Sequence, residues 1–171
     1  MRALTLTQPW AGLVAAGIKL VENRSRSMIK REDFGKLFAI HASKEIDEDV
    51  YLRIAEIDKG LGTGPHLADE RWWQLSRITS AVIAVAGIDR VVTSATTSGL
   101  GCPMSLTFDQ RRWFFGPVGY VLRDVIALPE PVPCRGWQGF WTLDADTEAK
   151  VREQLRPAPT RVPGAGVQRH G

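Results

Sequence analysis

Residues 1–24 constrain the chain more than any other stretch. Met1 to Leu6 reads as a first strand, and Thr7-Gln8-Pro9-Trp10 follows at once. Thr7 is the expected N-cap, and Pro9 falls in the first turn, where its missing N–H costs little. Trp10, Leu13, Val14 and Gly17 then recur at helical spacing, with Gly17 as the stop. A helix this short and this apolar cannot live on the surface. Yet it delivers the chain directly into Lys19, Glu22, Asn23 and Arg24. Polar side chains gathered around an interior helix read as one wall of a ligand cleft. The rest of the chain has to supply the opposite wall.

From Ile18 the pattern changes to period two. On a regular strand Lys19 and Glu22 face opposite ways unless a bulge intervenes, whereas Glu22 and Arg24 share a face. Ser25 to Gly35 is polar and reads as a loop. Leu37 to Ala42 is a buried strand ending at His41, and Ser43 is placed to cap the helix that follows. That helix carries Ile46, Val50, Ile54 and Ile57 on one face and acidic residues in its first turn, and it ends at Lys59-Gly60. Asp69 could cap a short helix through Trp72, Trp73 and Leu75. Ala81 to Ile88 is apolar on both faces, the clearest strand, and runs on through Val92. Thr93 to Met104 reads as a loop, and Gly119 to Leu128 as another strand, ended by Pro129, Pro131 and Pro133. Thr142 to Leu155 begins extended and finishes as a helix capped near Asp144 or Asp146. These elements make an α+β domain over residues 1–155, with a Pro/Gly/Arg-rich tail at 156–171 that cannot build a core.

Charge narrows the function. The net charge of +3 comes from Arg156, Arg161 and Arg169 in the tail, which holds no acid. The body is neutral, which argues against a broad phosphate-binding face but allows a local basic cleft. There is no long apolar run, so no membrane span is expected. With no basic-then-apolar leader and only Cys102 and Cys134, too few and too far apart for a disulfide framework or zinc site, a cytoplasmic setting is expected. No metal or cofactor is called for: His41, His66 and His170 are scattered, and nucleotide-loop and hydrolase motifs are absent.

The chemistry-bearing candidates are therefore few. Lys19, desolvated among apolar residues, would be a base or nucleophile; on the surface it would merely snorkel. Glu22 is a base or the ion-pair partner of Arg24. Gln8 can read a base edge or satisfy backbone at the helix start. Trp10, Trp113 and Trp137 can stack on a nucleobase or fill the core, and their neighbours Arg111, Arg112 and Arg135 interleave cations with aromatics as single-stranded nucleic acid requires. His41 and Ser43 are either site residues or structural ones.

The ordered set Gln8-Pro9-Trp10-Ala11, Gly17-Ile18-Lys19, Glu22-Asn23-Arg24, Ile40-His41-Ala42-Ser43, Phe115 to Tyr120 and Pro131 to Trp141 resembles the ASCH domain family, in its coactivator-homology branch. The resemblance spans most of residues 1–143. It implies a PUA-like fold, a small bent β-barrel with flanking helices, and binding of RNA, other single-stranded nucleic acid or a modified nucleoside. On that reading Gln8, Trp10, Arg24, His41 and Ser43 line the cleft, with Trp113, Gly116 and Arg135 facing them. Some bacterial relatives are amidohydrolases acting on N4-acetylcytidine, and others are described as ribonucleases. Their catalytic Lys matches Lys19, while the position of their catalytic Thr holds Glu22. The alternative to a binding domain is thus a hydrolase using Lys19 and Glu22.

Overall fold

The computed structural model describes residues 1–59, 70–98, 102–103 and 105–156. Along the chain come β1 (Arg2–Gln8), α1 (Trp10–Ala15), β2 (Val21–Arg24), β3 (Leu37–Ile46), α2 (Glu48–Lys59), α3 (Glu70–Leu75) and β4 (Ala81–Thr93). After them follow β5 (Thr97–Ser98), β6 (Cys102–Pro103), α4 (Phe108–Arg111), β7 (Val118–Pro133), β8 (Phe140–Thr142) and α5 (Ala145–Gln154). The α+β class stands. His66, Asp69, His170 and all of the tail beyond Arg156 lie outside the described residues.

One six-stranded sheet carries the molecule, in the order β2-β7-β4-β3-β1-β8. Only β1 and β3 run parallel; the other neighbours are antiparallel. Strand alternation then sorts the side chains. Leu4 and Leu6 of β1 and Phe38, Ile40 and Ala42 of β3 go into the larger core with Ala11, Val14 and Ala15 of α1. On the opposite face Ala3 and Ala39 join Val82, Val85 and Val132 under Val151 of α5. Further along that same face, Thr5, Thr7, His41 and Ser43 line a cleft.

The sheet is not closed where a small bent barrel was expected. The hydrogen-bonded order has two ends, β2 and β8. Beside that opening Arg24 on β2 donates from Nη2 to the Thr5 carbonyl on β1, 3.2 Å away, one residue past the β1–β8 pairing.

Three local expectations are corrected. Thr7 does not cap α1; Pro9 holds the cap position without a side-chain bond, and Gln8 Oε1 accepts the Gly12 N–H at 3.0 Å. Ser43 lies inside β3 and bonds Glu45 rather than capping α2, whose first turn is served by Asp47 Oδ1 accepting from Asp49 N. The prolines at 129, 131 and 133 do not end β7. Its register with β4 jumps from Ala127 to Val132, so the prolines sit mostly where no ladder bond is needed. Gln154 of α5 bonds both the N–H and the carbonyl of Glu130 there, standing in for a neighbouring strand. By contrast Gly17 (φ +76°) stops α1 as expected, with Gly17 N to the Val14 carbonyl and Ile18 N to the Leu13 carbonyl.

Candidate functional site

That stop decides the fate of Lys19. The paired Gly17 and Ile18 bonds fold residues 17–20 into a turn, and β2 begins only at Val21. The strand parity that would separate Lys19 from Glu22 therefore does not apply. Lys19 Nζ donates to Glu22 Oε2 at 2.7 Å and to the Val21 carbonyl at 2.7 Å, and sits 5.5 Å from the Trp10 ring centroid. The lysine is 2% exposed. Glu22 Oε1 lies 3.3 Å from Arg24 Nη2. The three charges form a chain, Lys19–Glu22–Arg24, with its first two members buried and its third at the cleft.

The cleft has a volume of about 1360 Å³. Arg24, His41, Ser43 and Arg135, all expected from sequence, line it together with Thr5, Arg26, Lys44 and Trp137. Four bases face it (Arg24, Arg26, Lys44, Arg135) against one acid, Glu45. Arg26 is held there because its loop is tied to the core: the buried Tyr120 hydroxyl donates to the Arg26 carbonyl and accepts from Met28 N.

His41 lies on the floor, 1% exposed. Its Nε2 is 3.1 Å from the Cys134 carbonyl, which only accepts, so Nε2 carries the proton. Nδ1 is then an acceptor, buried and without a partner. Burial pushes the His41 pKa down, against the smaller upward pull of the Cys134 carbonyl, so the ring is neutral at neutral pH. Arg24 Nε is a second buried polar atom without a partner, and it belongs to the same cleft lining. One unfilled donor and one unfilled acceptor thus lie beneath the cleft wall, closed off from solvent.

Over this floor runs the segment Cys134 to Gly139. Its Arg135 guanidinium sits 4.3 Å from the Trp137 ring centroid, and the Trp137 side chain is 54% exposed. Trp137 is the one stacking candidate whose ring is left open on the cleft.

The other expected residues are placed elsewhere. Gln8, 0% exposed, donates from Nε2 to the carbonyls of Leu75 and Ile78, tying α1 to the end of α3. Trp10 packs edge-on against Trp113, 6.4 Å between centroids, and against Phe115. Trp113 is buried in a third core cluster with Leu13, Val21 and Ile54. Asn23 clamps this aromatic segment through the Trp113 carbonyl and the Phe115 N–H. Gly116 makes its turn at φ +62°. Arg111 and Arg112 are used locally, on the Leu106 carbonyl and on Asp109. Sequence reasoning missed Thr5, Arg26 and Lys44. Thr5 had a signal, since it alternates with Leu4 and Leu6 and is the register partner of His41. Arg26 and Lys44 had none.

Among the described residues no group of metal-ligating side chains is close enough to hold an ion, and no helix is long and apolar enough to cross a membrane.

The fold matches that of the ASCH protein from Zymomonas mobilis, with 17% identity over 89% of this chain and 93% of that one, at a TM-score of 0.50. A Tyr-to-Phe variant of the same protein also matches, over 89% and 96%, at 0.50. No family model and no curated protein matches the sequence. At that identity the likeness is one of fold. It leaves the ligand open.

Proposed function

We propose that this chain, with the fold of the ASCH proteins, binds single-stranded nucleic acid, RNA first of all, in the cleft between β1, β3 and the segment 134–139. The observation that carries the reading is the exposed Trp137, stacked under Arg135 on the rim of a cavity lined by four bases and one acid. An indole face open to solvent takes a base by stacking, and the cations beside it take the backbone. A modified nucleoside would use the same stack without the phosphate contacts.

The hydrolytic alternative has no comparable support. Lys19 gives two of its N–H groups to Glu22 and the Val21 carbonyl and turns toward the Trp10 ring, and neither Lys19 nor Glu22 lines the cleft. On this reading Glu22 holds Arg24 in place.

Fluorescence anisotropy with a labelled single-stranded RNA of about ten nucleotides at low salt tests the proposal. Wild type binds; Trp137→Ala and Arg24→Ala each weaken binding about tenfold, which is the loss of one stack or one charge-assisted contact. Equal affinity in all three proteins, or no binding by wild type, refutes it.

A further inference from the structure

Gly136 lies directly on His41. A Cβ at position 136 would stand 2.3 Å from His41 Cε1, 2.5 Å from Nδ1 and 3.0 Å from Thr5 Oγ1. No side chain fits in that space. The ring beneath is held, because Nε2 is bonded to the Cys134 carbonyl and the ring packs at 78° against Trp141, 5.7 Å between centroids. Trp141 is itself tied by Nε1 to Thr5 Oγ1 at 3.1 Å. The segment 134–139 is therefore latched at one point and seated at the next. Nδ1 is enclosed by the same packing.

We infer that His41 and Gly136 are positioning residues. Together they set the height of the strap that holds Arg135 and Trp137 over the cleft, for a ligand that is a stacked base with its phosphate, a single-stranded nucleotide. The inference rests on the binding reading above. It goes beyond it by giving His41 a role that is neither ligand contact nor core filling. At the far end of the strap a Cβ on Gly139 (φ +70°) would stand 3.3 Å from the Met28 side chain, and the Met28 N–H is held by Tyr120. The strap runs from the end of β7 at Pro133 to the start of β8 at Phe140, so both its ends join the sheet, with Arg135 and Trp137 between them.

The test uses the full chain and two readouts. One is affinity for the same labelled RNA, and the other is amide hydrogen exchange of residues 134–139. Gly136→Ala is expected to weaken binding about tenfold and to speed strap exchange by a similar factor, with exchange in β3 and β4 unchanged. His41→Ala is expected to do the same by removing the latch. In the His41→Ala background the alanine at 136 meets no ring and costs less than about twofold more, because the two sites are coupled. His41→Gln keeps an N–H donor for the Cys134 carbonyl and stays within about threefold of wild type. Unchanged exchange and affinity in Gly136→Ala, or the same penalty from it in both backgrounds, overturns the inference. If Gly136→Ala does not fold, the contrast of His41→Ala with His41→Gln decides, and equal losses in the two overturn it. If wild type binds no RNA while strap exchange responds as stated, the binding reading fails and the positioning of the strap survives.

Discussion

Replacing Lys19 by Met should damage the fold far more than a surface lysine would. The side chain is 2% exposed and its ammonium neutralises Glu22, itself only 9% exposed, through a 2.7 Å contact. Methionine fills a similar volume, so packing changes little. What changes is charge: among the described residues Glu22 is left with Arg24 at 3.3 Å as its single ionic partner, and the Val21 carbonyl loses the Lys19 donor. Breaking a buried pair from one side costs about 3–5 kcal/mol. The remaining Arg24 contact puts the expectation near the lower end, about 3 kcal/mol, or roughly 6–12 °C in melting temperature for a domain of this size. Adding Glu22→Met should recover about half of that, because no carboxylate is then stranded. The double variant should still bind RNA less well than wild type, since Arg24 has lost its tether. Urea unfolding of wild type, the single and the double variants measures all three values. A loss below about 1 kcal/mol in Lys19→Met, typical of exposed pairs, would refute the structural reading of the Lys19–Glu22–Arg24 chain.

Three further outcomes follow from the same geometry. His41 has its pKa lowered in the fold, so the unfolded chain binds more protons; stability should fall as pH drops below the ordinary histidine value of about 6.5 and level off below the folded one, and His41→Gln should flatten that part of a pH series of urea midpoints. Asp33 and Asp144, both held low, lose stability only at more acidic pH, so the two windows separate. Gln8→Ala strips the Leu75 and Ile78 carbonyls and the Gly12 N–H of their partner at once and should cost about 3 kcal/mol or more by chemical denaturation; a loss under 1 kcal/mol would show that α3 does not depend on it. RNA affinity should fall with salt at a slope of about −3 in log–log form if all four cleft bases meet phosphate, and Arg26→Ala should reduce the slope by about 0.7.

How much of this was legible depended on whether a local rule governed the residue. The apolar β4 and the Gly17 stop follow from period and backbone freedom and read directly from the chain, and of the two caps offered for α5 the structure takes Asp144. The α+β class follows with them. The meeting of Lys19 and Glu22 does not, because it turns on where β2 begins, and one turn of helix C-terminus moved that point past the lysine. Nor does the continuation of β7 through three prolines, which depends on a register jump against β4 and on Gln154 from a distant helix. The site divided as well. Arg24, His41, Ser43 and Arg135, which the family resemblance placed in a cleft, do line one. Gln8, Trp10 and Trp113 have the composition of ligand residues, and the fold spends them on packing.

The neutral body explains why charge gave so little warning. The cleft gathers its bases from four separate stretches: Arg24 on β2, Arg26 in the loop after it, Lys44 on β3 and Arg135 on the strap. No two adjoin in sequence, and each stretch also carries acids or neutral residues turned elsewhere. The parallel pairing of β1 with β3 and the seam left between β2 and β8 bring them to one rim. Thr5 lies one residue past the β8 pairing, and its carbonyl accepts from Arg24 of β2, which also lines the cleft. A single substitution separates this from coincidence: Arg24→Met, which keeps the stem and removes the guanidinium, should loosen β2 in hydrogen exchange as well as weaken RNA binding. If binding falls with β2 unaltered, Arg24 serves only the ligand and the seam is held by other contacts.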